Sequence, residues 1–148
     1  MIGPEPDNME SFEAFEEALY DTLTHLYDPA HRPAEILFRT LGCAQERGLE
    51  GIQEEIIAEV ESLRPATYVP ASARSRRLHG VLLYRYIQGL TQEEVAERLS
   101  ITSRHLRREQ LEAAHMLAAH LWDRRLSATS AERGFIVRGE TEFPPSGQ

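Results

Sequence analysis

The segment Leu90-Thr91-Gln92-Glu93-Glu94-Val95 constrains this chain more than any other six residues in it. Thr91 is placed to accept the backbone N–H of Glu94, and the Glu94 carboxylate to reach back to the N–H of Thr91, which makes a capping box. Leu90 and Val95 fall at the two positions of a hydrophobic staple across the first turn. A helix therefore starts here, and its apolar residues Val95, Ala96 and Leu99 need a partner to cover them. It is short, ending near Leu99-Ser100. Thr102 is placed to cap a second helix, which Leu106, Ala113, Leu117 and Leu121 carry to about Arg124. At 1.5 Å per residue that second helix is roughly 33 Å long.

The rest of the chain is written in the same helical period. Phe12, Phe15, Leu19, Leu23 and Leu26 recur at intervals of three and four and predict an amphipathic helix over 10–27, ended by Asp28-Pro29. Proline at a first-turn position and Gly42 as a stop predict a shorter helix over 33–41. Ile52, Ile56, Ile57, Val60 and Leu63 line one face of a helix over 49–63. Leu78, Val81, Leu82 and Ile87 do the same over 75–88, with Gly89 as the cap. No alternating strand pattern appears before residue 134. Residues 127–130 read as loop, 134–139 as one short strand or clasp, and 126–148 together as a tail. The expected fold is all-α.

Charge divides the chain. Its 148 residues carry a net −8, but residues 1–63 hold fifteen acids against three arginines, a net −12. Residues 74–125 hold ten arginines against six acids, a net +4. The sign changes across 64–72, where Pro65 and Pro70 disfavour helix. The expected organisation is thus an acidic three-helix unit at 1–65, a connector at 66–73 and a basic helical unit at 74–125. The acidic unit either shadows the basic face electrostatically or packs on it through apolar surface with its acids facing water. Overall acidity excludes a protein that coats nucleic acid by bulk basicity, but leaves room for a local basic patch. All sixteen basic residues are arginine; compositional bias is the simpler reading, selection for bidentate recognition the sharper one.

Chemistry of other kinds finds little support. Cys43 is the single cysteine, so neither an intramolecular disulfide nor a cysteine-based zinc site is available, and a half-buried thiol is expected. His115 and His120 are five apart, about 140° around a helix, and share no face. No Gly-rich phosphate loop, Ser-His-Asp order or metal-ligand triplet stands out. The expectation is a chain with no catalytic residues, metal or cofactor. The start is acidic rather than a signal peptide, and no apolar run reaches the ~20 residues of a membrane span. A cytoplasmic location follows as an expectation.

A short capped helix, a tight turn and a second helix rich in arginine make a helix-turn-helix pattern. With Leu106 facing the core, Ser103, Arg104, Arg107 and Arg108 project outward or sideways, where arginine forks match guanine edges and phosphate alike. Two helical ion pairs, Arg108 with Glu112 and Glu94 with Arg98, are the competing use for these side chains.

The stretch from Leu83 to Arg108 resembles the DNA-binding region 4 of bacterial sigma-70-type sigma factors and related regulators. Tyr86, Gly89, Leu90, Thr91, Glu94, Val95, Ala96 and Leu99 occur in the matching order. The resemblance covers about 74–122. It implies a transcriptional regulator that binds double-stranded DNA in the major groove, with Ser103, Arg104, His105, Arg107 and Arg108 at the contacting positions. RNA polymerase or another protein, held by the acidic unit, and a second copy of the chain are further partners in keeping with it. Two positions depart from the family. Ser100 stands where glycine is usual, at a turn that can require a left-handed backbone. Gln110 stands on the apolar stripe in place of leucine. Both departures, with the acidic balance, favour the alternative: a protein-interaction module that kept this frame without binding DNA.

Overall fold

Ser11 opens the first helix, its hydroxyl accepting the N–H of Ala14 at 3.1 Å. A computed structural model of the chain describes the backbone of residues 11–138 and the side chains of residues 11–125. The fold is all-α: among the described residues there are six α-helices and no strand. They are α1 (Phe12–Thr24), α2 (Glu35–Leu41), α3 (Gly48–Ser62), α4 (Arg74–Val81), α5 (Gln92–Leu99) and α6 (Ser103–Arg138). None is long and apolar enough to cross a membrane among the described residues.

Boundaries follow local chemistry, with four differences from expectation. Helix α1 stops at Thr24 rather than at residue 27, because the chain turns at His25 to bury Leu26 and send Tyr27 across to another helix. Pro33 lies just outside α2, whose cap is Ala34, while Gly42 closes it in the left-handed region as expected. The fourth helix does not stay α to its end. Leu82–Ile87 is a π-helical turn, with the Gln88 N–H reaching the Leu83 carbonyl at 2.8 Å. Gly89, at φ 72°, then lets the Leu90 N–H close on the Tyr84 carbonyl at 2.9 Å. The Ile87 carbonyl at that helix end accepts the Tyr27 hydroxyl at 2.8 Å.

Helix α6 is the fourth difference. It was expected to end near Arg124, with a loop at 127–130 and a strand or clasp at 134–139. Its backbone instead remains helical to Arg138, 36 residues in all. Ser127 to Arg138 contain no proline, and one glycine at residue 134 costs a helix only about 1 kcal/mol. The tail expected over 139–148, like the helix start expected at residue 10, lies outside the described residues.

The connector falls where the prolines put it, with 64–73 non-helical, but it does not separate two cores. One apolar core runs through the chain: Phe15 and Leu19 of α1, Leu37 of α2, Ile52 and Ile56 of α3, Val81 of α4, Val95 of α5, and Leu106, Leu117 and Leu121 of α6. The long helix lies against α1. Trp122 meets Phe12 edge-on at 5.8 Å and Phe15 at 5.5 Å between ring centroids. Polar contacts reinforce this packing: His115 Nδ1 lies 2.7 Å from Glu16, and Arg124 pairs with Glu55 and Glu59 at 2.8 and 2.9 Å. The acidic half thus packs through apolar surface, and its ion pairs flank that contact.

Candidate nucleic-acid interface

Helix α5 begins as the sequence demands. The Glu94 N–H donates to Thr91 Oγ1 at 3.1 Å and the Thr91 N–H to Glu94 Oε1 at 2.9 Å. Val95 and Ala96 are buried, and Leu99 approaches α4 so closely that a Cβ on Gly80 would lie 2.9 Å from its methyl group. At its other end Ser100 adopts φ 58°, ψ 45°, the one non-glycine residue at positive φ among those described. The Ile101 N–H returns to the Ala96 carbonyl at 3.0 Å, and Thr102 Oγ1 accepts the His105 N–H at 3.0 Å to start α6. Serine holds the left-handed turn where glycine would rest without strain. Ser100→Gly is therefore expected to stabilise the fold by about 0.5–1 kcal/mol, the relief of left-handed strain less the extra backbone entropy of glycine. Thermal unfolding followed by circular dichroism checks it; a lower melting temperature counts against the strain argument.

Leu106 is fully buried, and it sets the orientation of everything around it on the first turns of α6. Ser103, Arg104, Arg107 and Arg108 are exposed. Arg104, Arg107 and Arg108 line one shallow concavity together with Leu111, as their three- and four-residue spacing requires. His105 does not join them. It is half-buried, its Nε2 3.3 Å from Glu109, whose other oxygen accepts Arg77 Nε at 2.8 Å. Of the five expected contact residues, four face outward, and the half-buried His105 instead lies against the buried Glu109.

Neither helical ion pair forms in the way the spacing allowed. Glu112 pairs with Arg74, and Glu94 is held by the capping box, while Arg98 stacks over the Tyr84 ring at 5.1 Å. Arg104, Arg107 and Arg108 have no hydrogen-bond or ion-pair partner among the described residues. Among the described residues, no acid of α1 to α3 pairs with them. The strip does not extend to the start of α4, however. Arg74 and Arg77 are paired with glutamates, and Arg76 donates to the Val69 and Ala66 carbonyls at 2.9 and 2.6 Å, tying down the connector.

Gln110 is where sequence reasoning saw a departure and not its purpose. It is buried, and its Oε1 accepts Arg85 Nε at 3.2 Å and Gln92 Nε2 at 3.3 Å. Arg85 also donates to the Leu90 carbonyl at 3.2 Å. One amide thus ties the π-helical turn, the entry to α5 and the early turns of α6. Gln110→Leu should destabilise the protein by about 1–3 kcal/mol, because the Arg85 guanidinium loses an acceptor in a part-buried site. Urea denaturation measures it; an unchanged midpoint means the network is dispensable.

Two further features lay outside the sequence reading. The apolar side chain of Leu111 is 59% exposed beside the arginines. Asp21, His25 and His31 converge at the end of α1, although no metal-ligand triplet was evident from spacing. The i,i+4 relation of Asp21 to His25 was legible; the return of His31 through the Asp28-Pro29 turn was not. Cys43 is half-buried as expected, and burial pushes its thiol above the usual range. Comparison with family models, curated proteins and solved structures returns no match for this chain. The arrangement is therefore defined by its own geometry: an all-α chain whose longest helix carries on its first turns Arg104, Arg107 and Arg108, without partners among the described residues.

Proposed function

We propose that the protein is a transcriptional regulator that binds double-stranded DNA, using α5 and α6 as a helix-turn-helix of the sigma region 4 type. Ser103, Arg104, Arg107 and Arg108 enter the major groove, and the half-buried His105 sits behind them, positioned by Glu109. The observation that carries this reading is selective. Arginines 74, 76, 77, 85 and 98 are engaged with protein groups, while those at 104, 107 and 108, on one helical face, have no partner among the described residues. The positive end of the α6 dipole adds to their field, and arginine forks suit both base edges and phosphates. No step of this function requires a catalytic group or cofactor. Selection from a random duplex library tests it: a recovered sequence motif is the expected outcome, and enrichment of nothing sinks the proposal.

A second reading rests on Leu111. Its exposed side chain borders the arginine concavity, and it also lines the neighbouring apolar groove with Leu78 and Met116. That combination suits an interaction module whose partner brings an acidic, apolar surface. The two readings separate on one substitution. Leu111→Ser leaves binding to a selected duplex nearly unchanged under the first and abolishes partner capture under the second.

A further inference from the structure

At the far end of α1, three side chains form a second cluster of a different chemical kind. Asp21 and His25 are one helical turn apart and share a face, with His25 Nδ1 3.6 Å from Asp21 Oδ1. The chain then reverses. The Asp28 N–H reaches the His25 carbonyl at 3.1 Å, Asp28 Oδ1 accepts the Ala30 N–H at 2.9 Å, and the His31 N–H closes on the Asp28 carbonyl at 2.9 Å. This turn stacks the His31 ring on His25, centroids 5.2 Å apart and planes 12° from parallel. His31 Nε2 comes to 4.0 Å from Asp21 Oδ2, and the three ligand atoms all lie within 4.8 Å of one another.

We propose that Asp21, His25 and His31 bind a divalent transition-metal ion, with zinc the best fit. Two imidazoles and one carboxylate are the donor set of borderline metals such as zinc, and a poor set for magnesium or calcium, which prefer oxygen alone. Zinc bonds of about 2.0–2.1 Å place tetrahedral ligands about 3.4 Å from one another. The 3.6 and 4.0 Å separations are already close to that edge. Those two distances run to different Asp21 oxygens, and with the ligand atoms within 4.8 Å of one another, closing the site requires the two exposed side chains, Asp21 and His25, to move inward. His31, only 10% exposed, is the fixed ligand.

The ring nitrogens are not idle without an ion. His31 Nε2 lies 2.9 Å from the buried Thr22 hydroxyl, and His25 Nδ1 lies 2.9 Å from the Asp21 carbonyl and 3.1 Å from Thr24 Oγ1. These bonds hold both nitrogens toward the cluster, and the ion replaces them. Three protein ligands leave a fourth position for water. The site also closes the turn that carries Tyr27, whose hydroxyl holds the Ile87 carbonyl beside the entry to α5. It stands independently of whether α6 reads DNA.

Titration of the full-length, chelator-treated protein with zinc chloride by isothermal calorimetry tests the assignment, with magnesium chloride as control. The expected result is one zinc ion per chain and no magnesium heat. His25→Ala and His31→Ala each weaken binding by more than about tenfold. His120→Ala, at an exposed histidine remote from the cluster in sequence, leaves it unchanged. Asp21→Asn keeps the shape of the ligand while removing its charge, and also weakens binding. Circular dichroism spectra identical to the native protein establish that each variant is folded. Zinc heat that survives in the His25→Ala/His31→Ala double variant, no zinc heat in the native chain, or equal affinity for magnesium overturns the proposal.

Discussion

Phe15→Ala is expected to lower the stability of the whole chain by about 3–5 kcal/mol, the usual cost of emptying a buried phenylalanine site. Phe15 is fully buried on α1 and its ring meets Trp122 of α6, more than one hundred residues away in sequence. Total stability for a domain of this size is about 5–15 kcal/mol, so the loss takes roughly a fifth or more of it. The effect should register on α6 as strongly as on α1, since one core holds both. Deleting residues 1–63 is the extreme form of the same experiment. It strips Phe15, Leu19, Leu37, Phe38, Ile52, Ile56 and Val60 from that core and exposes their partners on α4 and α6. The remainder should give neither a cooperative thermal transition nor the blue-shifted emission of a shielded Trp122. A truncated chain that melts cooperatively near the native temperature would show that the basic half is an independent unit after all.

Arg104→Ala and Arg107→Ala should each weaken binding to a selected duplex by about 1–3 kcal/mol where the side chain reads a base, a factor of roughly 5–150 in Kd. Their structural effect should be small, within about 0.5 kcal/mol, because both are exposed and lack partners among the described residues. This separation of affinity from stability is what distinguishes them from Arg77, whose guanidinium is committed to the buried Glu109. Three available arginines also limit the electrostatic part. If all three reach phosphates, the logarithm of the binding constant should fall with the logarithm of salt at a slope of about −2.7, far shallower than for a strongly basic protein. Fluorescence anisotropy of a labelled duplex across a salt series measures both quantities. Equal, weak binding by native and variant proteins at every salt concentration would move the interface elsewhere.

The Gln110 junction and the His105–Glu109–Arg77 contact mark where reading by position falls short. Gln110 looks like a flaw in an apolar stripe when α6 is considered alone. Its acceptor oxygen gains meaning from Arg85 and Gln92, which arrive from twenty-five and eighteen residues upstream. His105 sits among outward-facing residues by helical position, yet its ring follows Glu109 one turn on, and Glu109 is buried because Arg77 of α4 meets it there. In both cases a polar side chain enters the interior because a partner from another helix offsets its desolvation. Nothing in the spacing along one helix reports that partner.

What the sequence by itself determined is what lies within a turn or two of chain: the all-α class, the capping box at Thr91, the Thr102 cap, the left-handed requirement at Ser100 and the outward face of Ser103, Arg104, Arg107 and Arg108. Those features depend on backbone groups three or four residues apart, and their geometry is set locally. Tertiary structure decided which arginines remain unpaired, that the acidic and basic halves share one core, and that His31 meets Asp21 and His25. Each of these depends on contacts closed across long loops, where many pairings are compatible with the same pattern. Packing of Phe12 and Phe15 against Trp122 selects among them, and the charges settle around that contact.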